Sequence, residues 1–174
     1  MKSIIITLFL TIFSFNSASI YDFSIDALDS DETIHISDFK GKKILFVNVA
    51  SKCGFTPQYK DLQALYDMHK DNLVILGLPC DQFAGQELNE ESLIKEFCTN
   101  NYQVTFPMTT VIDVKGKNQH PIYQWLTQKE KNGLDDFKVS WNFNKFLVDE
   151  NGKLIAHFGS KVNPLDEEIT KHLK

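Results

Sequence analysis

The stretch from Lys43 to Leu78 constrains the fold more than any other part of the chain. Lys43–Ala50 (KILFVNVA) and Leu73–Leu78 (LVILGL) are compact apolar runs rich in Ile, Val and Leu. Runs of this length and composition fit strands that are covered on both faces. Between them Leu62, Leu65, Tyr66 and His69 recur at steps of three and four, which places them on one face of a helix. Thr56 is expected as the N-cap of that helix and Pro57 as its first helical residue. Strand, helix and strand in this order form a βαβ unit, with parallel strands joined by a right-handed crossover.

The other segments extend this unit. Asn89–Asn101 has Leu93, Ile94 and Phe97 at helical spacing with Glu90 and Glu91 early, and predicts a second helix. Thr109–Asp113 (TTVID) is expected to be a short extended segment and Pro121–Thr127 (PIYQWLT) a short helix. Lys145–Val148 and Leu154–Phe158 flank Asp149-Glu150-Asn151-Gly152, and Asn-Gly between apolar runs is a strong hairpin signal. Asp166 onward reads as a last helix, and residues 21–25 with Thr33–Ile36 as a small hairpin. A βαβ unit followed by ββα predicts an α/β protein built as a thioredoxin-like fold, a central mixed sheet flanked by helices. There is no internal repeat, low-complexity tract or linker, so residues 20–174 are read as one domain.

Residues 1–19 differ from the rest. Lys2 is followed by an apolar run from Ile4 to Phe15, broken only by Thr7, Thr11 and Ser14, and then by the small residues Ser17, Ala18 and Ser19. This is the pattern of a secretory signal peptide, with cleavage after Ala18 or Ser19. The run is short for a membrane span. The expected location is therefore outside the cytoplasm, periplasmic or secreted.

A formal net charge of −5 argues against nucleic-acid binding, which wants a basic face. All 18 cationic residues are lysines. Without arginine the chain has no planar bidentate clamp for carboxylates or phosphates. The three cysteines, Cys53, Cys80 and Cys98, are an odd number, so at least one thiol stays free or pairs with another molecule. Their spacings of 27 and 18 residues, and the scattered five histidines, show no metal-ligand pattern, and no cofactor is expected.

Cys53 stands at the carboxyl end of the first apolar strand, just ahead of a helix, where sites form in α/β sheets. A helix N-terminus and the adjacent Lys52 both favour a thiolate, the reactive form of cysteine. Two more segments bear on it: Leu78–Leu88 (LPCDQFAGQEL) and Ser140–Phe146 (SWNFNKF). Together with NVASKCGFT they resemble the three signature segments of the glutathione peroxidase family, and the resemblance runs from about Tyr21 to the C-terminus.

The resemblance implies a role for each matching residue. Cys53 falls where the family has its selenocysteine or peroxidatic cysteine, Gln82 on the glutamine of its PCNQF segment, and Trp141 and Asn142 on its tryptophan–asparagine pair. A thiolate attacks one peroxide oxygen, and the amide N–H groups of Gln82 and Asn142 and the indole N–H of Trp141 would stabilise the charge that develops. Three positions depart from the family pattern: Leu78 for Phe, Asp81 for Asn and Leu88 for Pro. Asp81 is expected to face water.

Attack on peroxide leaves a sulfenic acid that must be reduced before it oxidises further. Cys98, 45 residues after Cys53, resembles the resolving cysteine of the thioredoxin-dependent branch of the family, which implies a Cys53–Cys98 disulfide reduced by an external dithiol. The helix end carrying Cys98 would have to unwind for the two sulfurs to meet. Cys80 reads as structural. Glutathione is the less favoured reductant, because only lysines could hold its carboxylates. The short segment between Trp125 and Trp141 lacks the family's long oligomerisation loop and implies a monomer.

Other thiol chemistries fit less well. A peroxiredoxin would carry PxxxTxxC, but Ala50 occupies the Thr position, and a dithiol isomerase would have a second cysteine where Thr56 stands. The alternative function is an exported redox sensor that passes oxidation to a partner protein. Catalytic turnover separates that reading from a thiol peroxidase acting on hydrogen peroxide or organic hydroperoxides in the response to oxidative stress.

Overall fold

The computed structural model describes residues 18–174. The apolar run Ile4–Phe15 lies outside the described residues. Among the described residues no helix is long and apolar enough to cross a membrane.

Strands β1 (Ser24–Asp26) and β2 (Thr33–His35) form a small antiparallel hairpin. The central sheet contains β3 (Lys43–Val49), β4 (Leu73–Pro79), β5 (Lys145–Val148) and β6 (Leu154–Phe158), in the order β4-β3-β5-β6. β3 and β4 are parallel and are joined through α1 (Gln58–His69), while β3–β5 and β5–β6 are antiparallel. The sheet is therefore mixed, and its fold is thioredoxin-like. Gly152, at φ 79°, closes the β5–β6 turn beneath the ring of Tyr21, which a Cβ there would strike.

Side chains alternate across β3, so the sheet has two buried faces. Ile44 and Phe46 pack with Phe146, Val148 and the apolar side of α3 (Pro121–Thr127) on one face. Leu45, Val47 and Val49 pack on the other with α1, with α2 (Glu91–Tyr102) and with Ile169 of α5 (Glu167–Thr170). Cys53 and Cys98 belong to this second cluster, and Cys80 to the first.

Thr109–Asp113 runs beside β4 as expected, with Thr109 N and Ile112 N bonded to Gly77 O and Pro79 O, and meets its neighbours through single bridges, Met108 to Gly77 and Thr109 to Ala27. The Met108 side chain lies against Gly77 where a Cβ would stand. Two features differ from expectation. The last helix shrinks to four residues, with Asp166 at its N-cap position. An unforeseen four-residue helix, α4 (Lys129–Asn132), follows α3 and ends at Gly133 with φ 73°.

Candidate active site

Three loops meet at the carboxyl ends of β3 and β4. The first carries Cys53. It runs through consecutive turns before α1 begins, with the N–H groups of Thr56, Gln58 and Tyr59 bonded to carbonyls three residues back. Pro57, not Thr56, holds the N-cap position. The Thr56 hydroxyl instead accepts from Cys53 N (2.9 Å) and donates to Ala50 O (2.8 Å). It turns back because the chain is already coiling at residue 53, and the unsatisfied N–H within reach is that of Cys53. The same latch holds the loop to the end of β3. Cys53 is only 7% exposed, and its sulfur accepts the N–H of Phe55 at 3.4 Å. An N–H aimed at sulfur stabilises negative charge on it.

The second loop follows β4. Ala84 (φ 58°) and Gly85 (φ 61°) are consecutive left-handed residues that reverse the chain and return Gln86 and Glu87 to the Cys53 loop. Lys52 N donates to Gln86 O (2.9 Å) and Ser51 N to Glu87 Oε1 (3.0 Å). Glu87 is buried, and burial pushes its carboxyl above the usual range against the hydrogen bonds it accepts from Ser51 and Leu88. Asp81 is exposed and accepts from Glu87 N, so it faces water as expected and closes the turn.

The third loop is the turn Trp141–Asn144. Asn48, a polar residue in an otherwise apolar strand, fastens it. Its side chain donates to Trp141 O (3.0 Å) and accepts from Asn144 N (2.9 Å), while its carbonyl takes Phe143 N (2.6 Å). Asn144 also donates to Trp141 O and to Ser160 Oγ. Trp141 remains 37% exposed, with its ring 5.7 Å from that of Phe83. Asn142 is fully buried and donates to Gln86 Oε1 at 3.1 Å.

Of the four residues singled out in the sequence, Cys53, Trp141 and Asn142 lie on loops that are linked through Gln86. Gln82 points elsewhere. Its Oε1 accepts from Val114 N (2.8 Å) and Lys115 N (3.0 Å), and its Nε2 donates to Lys115 O (3.0 Å). Both ends of that amide pin the 114–115 segment. The glutamine that meets Asn142 is the other one in LPCDQFAGQEL, four residues on.

Cys98 lies on α2, buried among the side chains of the second cluster. Burial pushes its thiol up to about 11, partly offset by the hydroxyl of Tyr59 beside it and reinforced by Glu87. Just beyond it α2 closes without glycine: Val104 N returns to Cys98 O and Gln103 N to Thr99 O, with Gln103 at φ 51°. A non-glycine residue there costs about 1 kcal/mol, offset by the side chains of Asn101 and Gln103, which donate to Phe97 O and Asn100 O. Cys80 lies across the sheet from both other thiols, and burial raises its thiol too. No disulfide joins any of the three.

Comparison with known proteins identifies the family. Residues 20–127 match the family model described as glutathione peroxidase. A glutathione peroxidase of Lactococcus lactis is 49% identical over 156 residues, 88% of this chain and 98% of that one. The glutathione peroxidase-like peroxiredoxin 2 of Saccharomyces cerevisiae is 51% identical over 142 residues, 79% of this chain and 87% of the other. The crystal structure of Trgpx in apo form superimposes with a TM-score of 0.68 at 36% identity, covering 90% of this chain and 95% of that one. The chain belongs to the glutathione peroxidase family.

Proposed function

We propose that the protein is a thiol peroxidase that reduces hydroperoxides at Cys53, and that it takes its electrons from a thioredoxin-like dithiol protein. The observation that carries the reading is the Cys53 sulfur, which receives the Phe55 N–H in a loop fastened to Gln86 and thence to Asn142. The Cys53 thiolate attacks one peroxide oxygen. The O–O bond breaks, the distal oxygen leaves as water or alcohol after taking a proton, and sulfur becomes a sulfenic acid. Amide N–H groups at the Gln86–Asn142 pair and the Trp141 indole stabilise the departing oxygen. Gln86 takes the place first given to Gln82.

Cys98 then attacks the sulfenic sulfur. An S–S bond forms, the S–O bond breaks, and the released hydroxide takes the Cys98 proton and leaves as water. A dithiol reduces the disulfide by exchange. Because burial holds Cys98 as a neutral thiol, the end of α2 opens before this step, at the strained left-handed closure of Gln103. The preference for a dithiol donor over glutathione draws on the lack of arginine and on relatives named peroxiredoxins. A monomer, exported behind a cleaved leader and serving the response to oxidative stress, completes the proposal.

The test is a disulfide map of the reduced mature protein after one equivalent of hydrogen peroxide, with no reductant. A Cys53–Cys98 link supports the cycle. An oxygen retained on Cys53 without that link removes Cys98 from it and makes a monothiol the better donor. An inert Cys53 overturns the peroxidase reading.

A further inference from the structure

Lys145 opens β5 and is completely buried. An ammonium group out of water is strongly unfavourable unless every N–H finds an acceptor. Here three acceptors surround it: Gln58 Oε1 at 2.7 Å, Phe143 O at 2.8 Å and Val162 O at 2.8 Å.

The acceptors come from three separate pieces of the chain. Gln58 is the first residue of α1, directly after the turns that carry Cys53. Phe143, at φ 61°, is the left-handed residue of the turn that presents Trp141 and Asn142. Val162 belongs to the loop after β6. That loop is tied to both other pieces, since Gln58 Nε2 donates to Ser160 O (2.7 Å) and Ser160 Oγ to Asn142 O (2.5 Å). The remaining β5 residues, Phe146, Leu147 and Val148, are all apolar and buried, so an apolar side chain would serve the sheet at this position as well.

We propose that Lys145 is a positioning residue for the peroxidase reaction, its ammonium locking the Trp141–Asn142 turn to the helix end that carries Cys53. The inference rests on the thiol-peroxidase reading above. It adds a residue that touches neither sulfur nor peroxide but sets the distance between the two halves of the site. A misplacement of about 1 Å in such an arrangement can slow a reaction about 100-fold. The clamp also has a pH limit. Burial lowers the Lys145 ammonium to about 7, opposed by the carboxylate of Asp166, the charged group that acts on it. A neutral amine has two hydrogens for three acceptors, so one acceptor loses its donor as pH rises.

The experiment is stopped-flow oxidation of Cys53 by hydrogen peroxide in the parent, Lys145→Met and Lys145→Gln, all carrying Trp125→Phe so that Trp141 is the sole tryptophan and is excited selectively. Rates are divided by the thiolate fraction read at 240 nm. Folded Lys145→Met is expected to lose about 30- to 100-fold in rate per thiolate, with a shifted Trp141 emission. Lys145→Gln, which restores two N–H donors, is expected to recover part of that loss. A folded Lys145→Met within twofold of the parent, with unchanged emission, overturns the inference. If Lys145→Met does not fold, the parent protein decides. A rate per thiolate that falls between pH 6 and 9, together with a change in Trp141 emission, supports the clamp, and a flat rate overturns it. A parent that consumes no peroxide overturns the peroxidase reading, and the clamp with it.

Discussion

Asn142 and Gln86, 56 positions apart in the chain, share a side-chain hydrogen bond of 3.1 Å. The two amides together carry more hydrogens than this bond uses. With Asn142 as donor, Gln86 Nε2 has no partner among the described residues, and Asn142 Oδ1 is buried without one. With both amides turned over, Gln86 donates and the Asn142 NH2 is released. Either arrangement leaves an N–H2 group beside the Cys53 loop, where charge develops on the departing oxygen.

The first prediction separates the two glutamines. Gln86→Ala removes a donor from the site and is expected to slow Cys53 oxidation about 100-fold, and to lower stability by about 1 kcal/mol because the buried Asn142 amide loses its partner. Gln82→Ala releases three bonds to the 114–115 segment and is expected to lower stability by about 1–2 kcal/mol while Cys53 still reacts. Single-turnover kinetics and urea midpoints on both variants decide. Equal kinetic losses would return Gln82 to the site.

A second prediction concerns the latch. Thr56→Val keeps the shape of the side chain and removes the hydroxyl that serves Cys53 N and Ala50 O. Two buried backbone groups lose their partner, which is expected to lower stability by about 2 kcal/mol. The Cys53 loop also loses its fixed geometry, so peroxide reactivity is expected to fall. Thr56→Ser retains both bonds and is the control. If Val and Ser behave alike in urea titration and peroxide consumption, the latch has no role.

The sheet was legible because its signals are local and redundant. Both apolar runs of the βαβ unit, the Asn-Gly hairpin and the Pro121 helix fall where their patterns predict. What the sequence did not disclose is where polar side chains turn. Gln82 and Gln86 share one segment, and only the left-handed pair Ala84–Gly85 decides which amide swings back to the strand end. Thr56 carries every mark of an N-cap, but the chain coils early and takes the hydroxyl for Cys53. Asn48 did leave a trace, as a lone amide in an apolar strand, a place where a side chain must be satisfying something. Short end helices and the isolated bridges near Thr109 depend on tertiary contacts that no local pattern encodes.

Cys98 supplies a prediction about pH. Its thiol stands at about 11 in the folded protein against an ordinary 9.0, so between these values the folded state binds more protons than the unfolded one. Stability from this group is therefore fully present below pH 9 and is lost as pH rises through 11, by roughly 2–3 kcal/mol. Urea midpoints of the reduced protein are expected to decline over that window, and less steeply in Cys98→Ala. At pH 8, iodoacetamide is expected to modify Cys53 well before Cys98, and peptide mapping gives the order. Rapid labelling of Cys98 in the reduced protein would mean that the end of α2 is already open.

The final prediction is the first residue of the mature chain. Ser19 Oγ accepts from Tyr21 N and Ser19 N donates to Asp22 Oδ2 at 2.9 Å, which together cap the short turn Ile20–Asp22. Ile20 is fully buried, so this turn anchors the start of the fold. Cleavage after Ser19 would delete the cap. Cleavage after Ala18 keeps it and turns Ser19 N into an ammonium group against the Asp22 carboxylate, a stronger contact than the amide bond it replaces. The Trp125 indole gives up Ala18 O in exchange. Exported protein is therefore expected to begin at Ser19, as read by intact mass and N-terminal sequencing. Asp22→Ala is expected to lower its thermal midpoint, more so at low salt. A chain beginning at Ile20, or one that keeps the apolar leader, would refute this assignment.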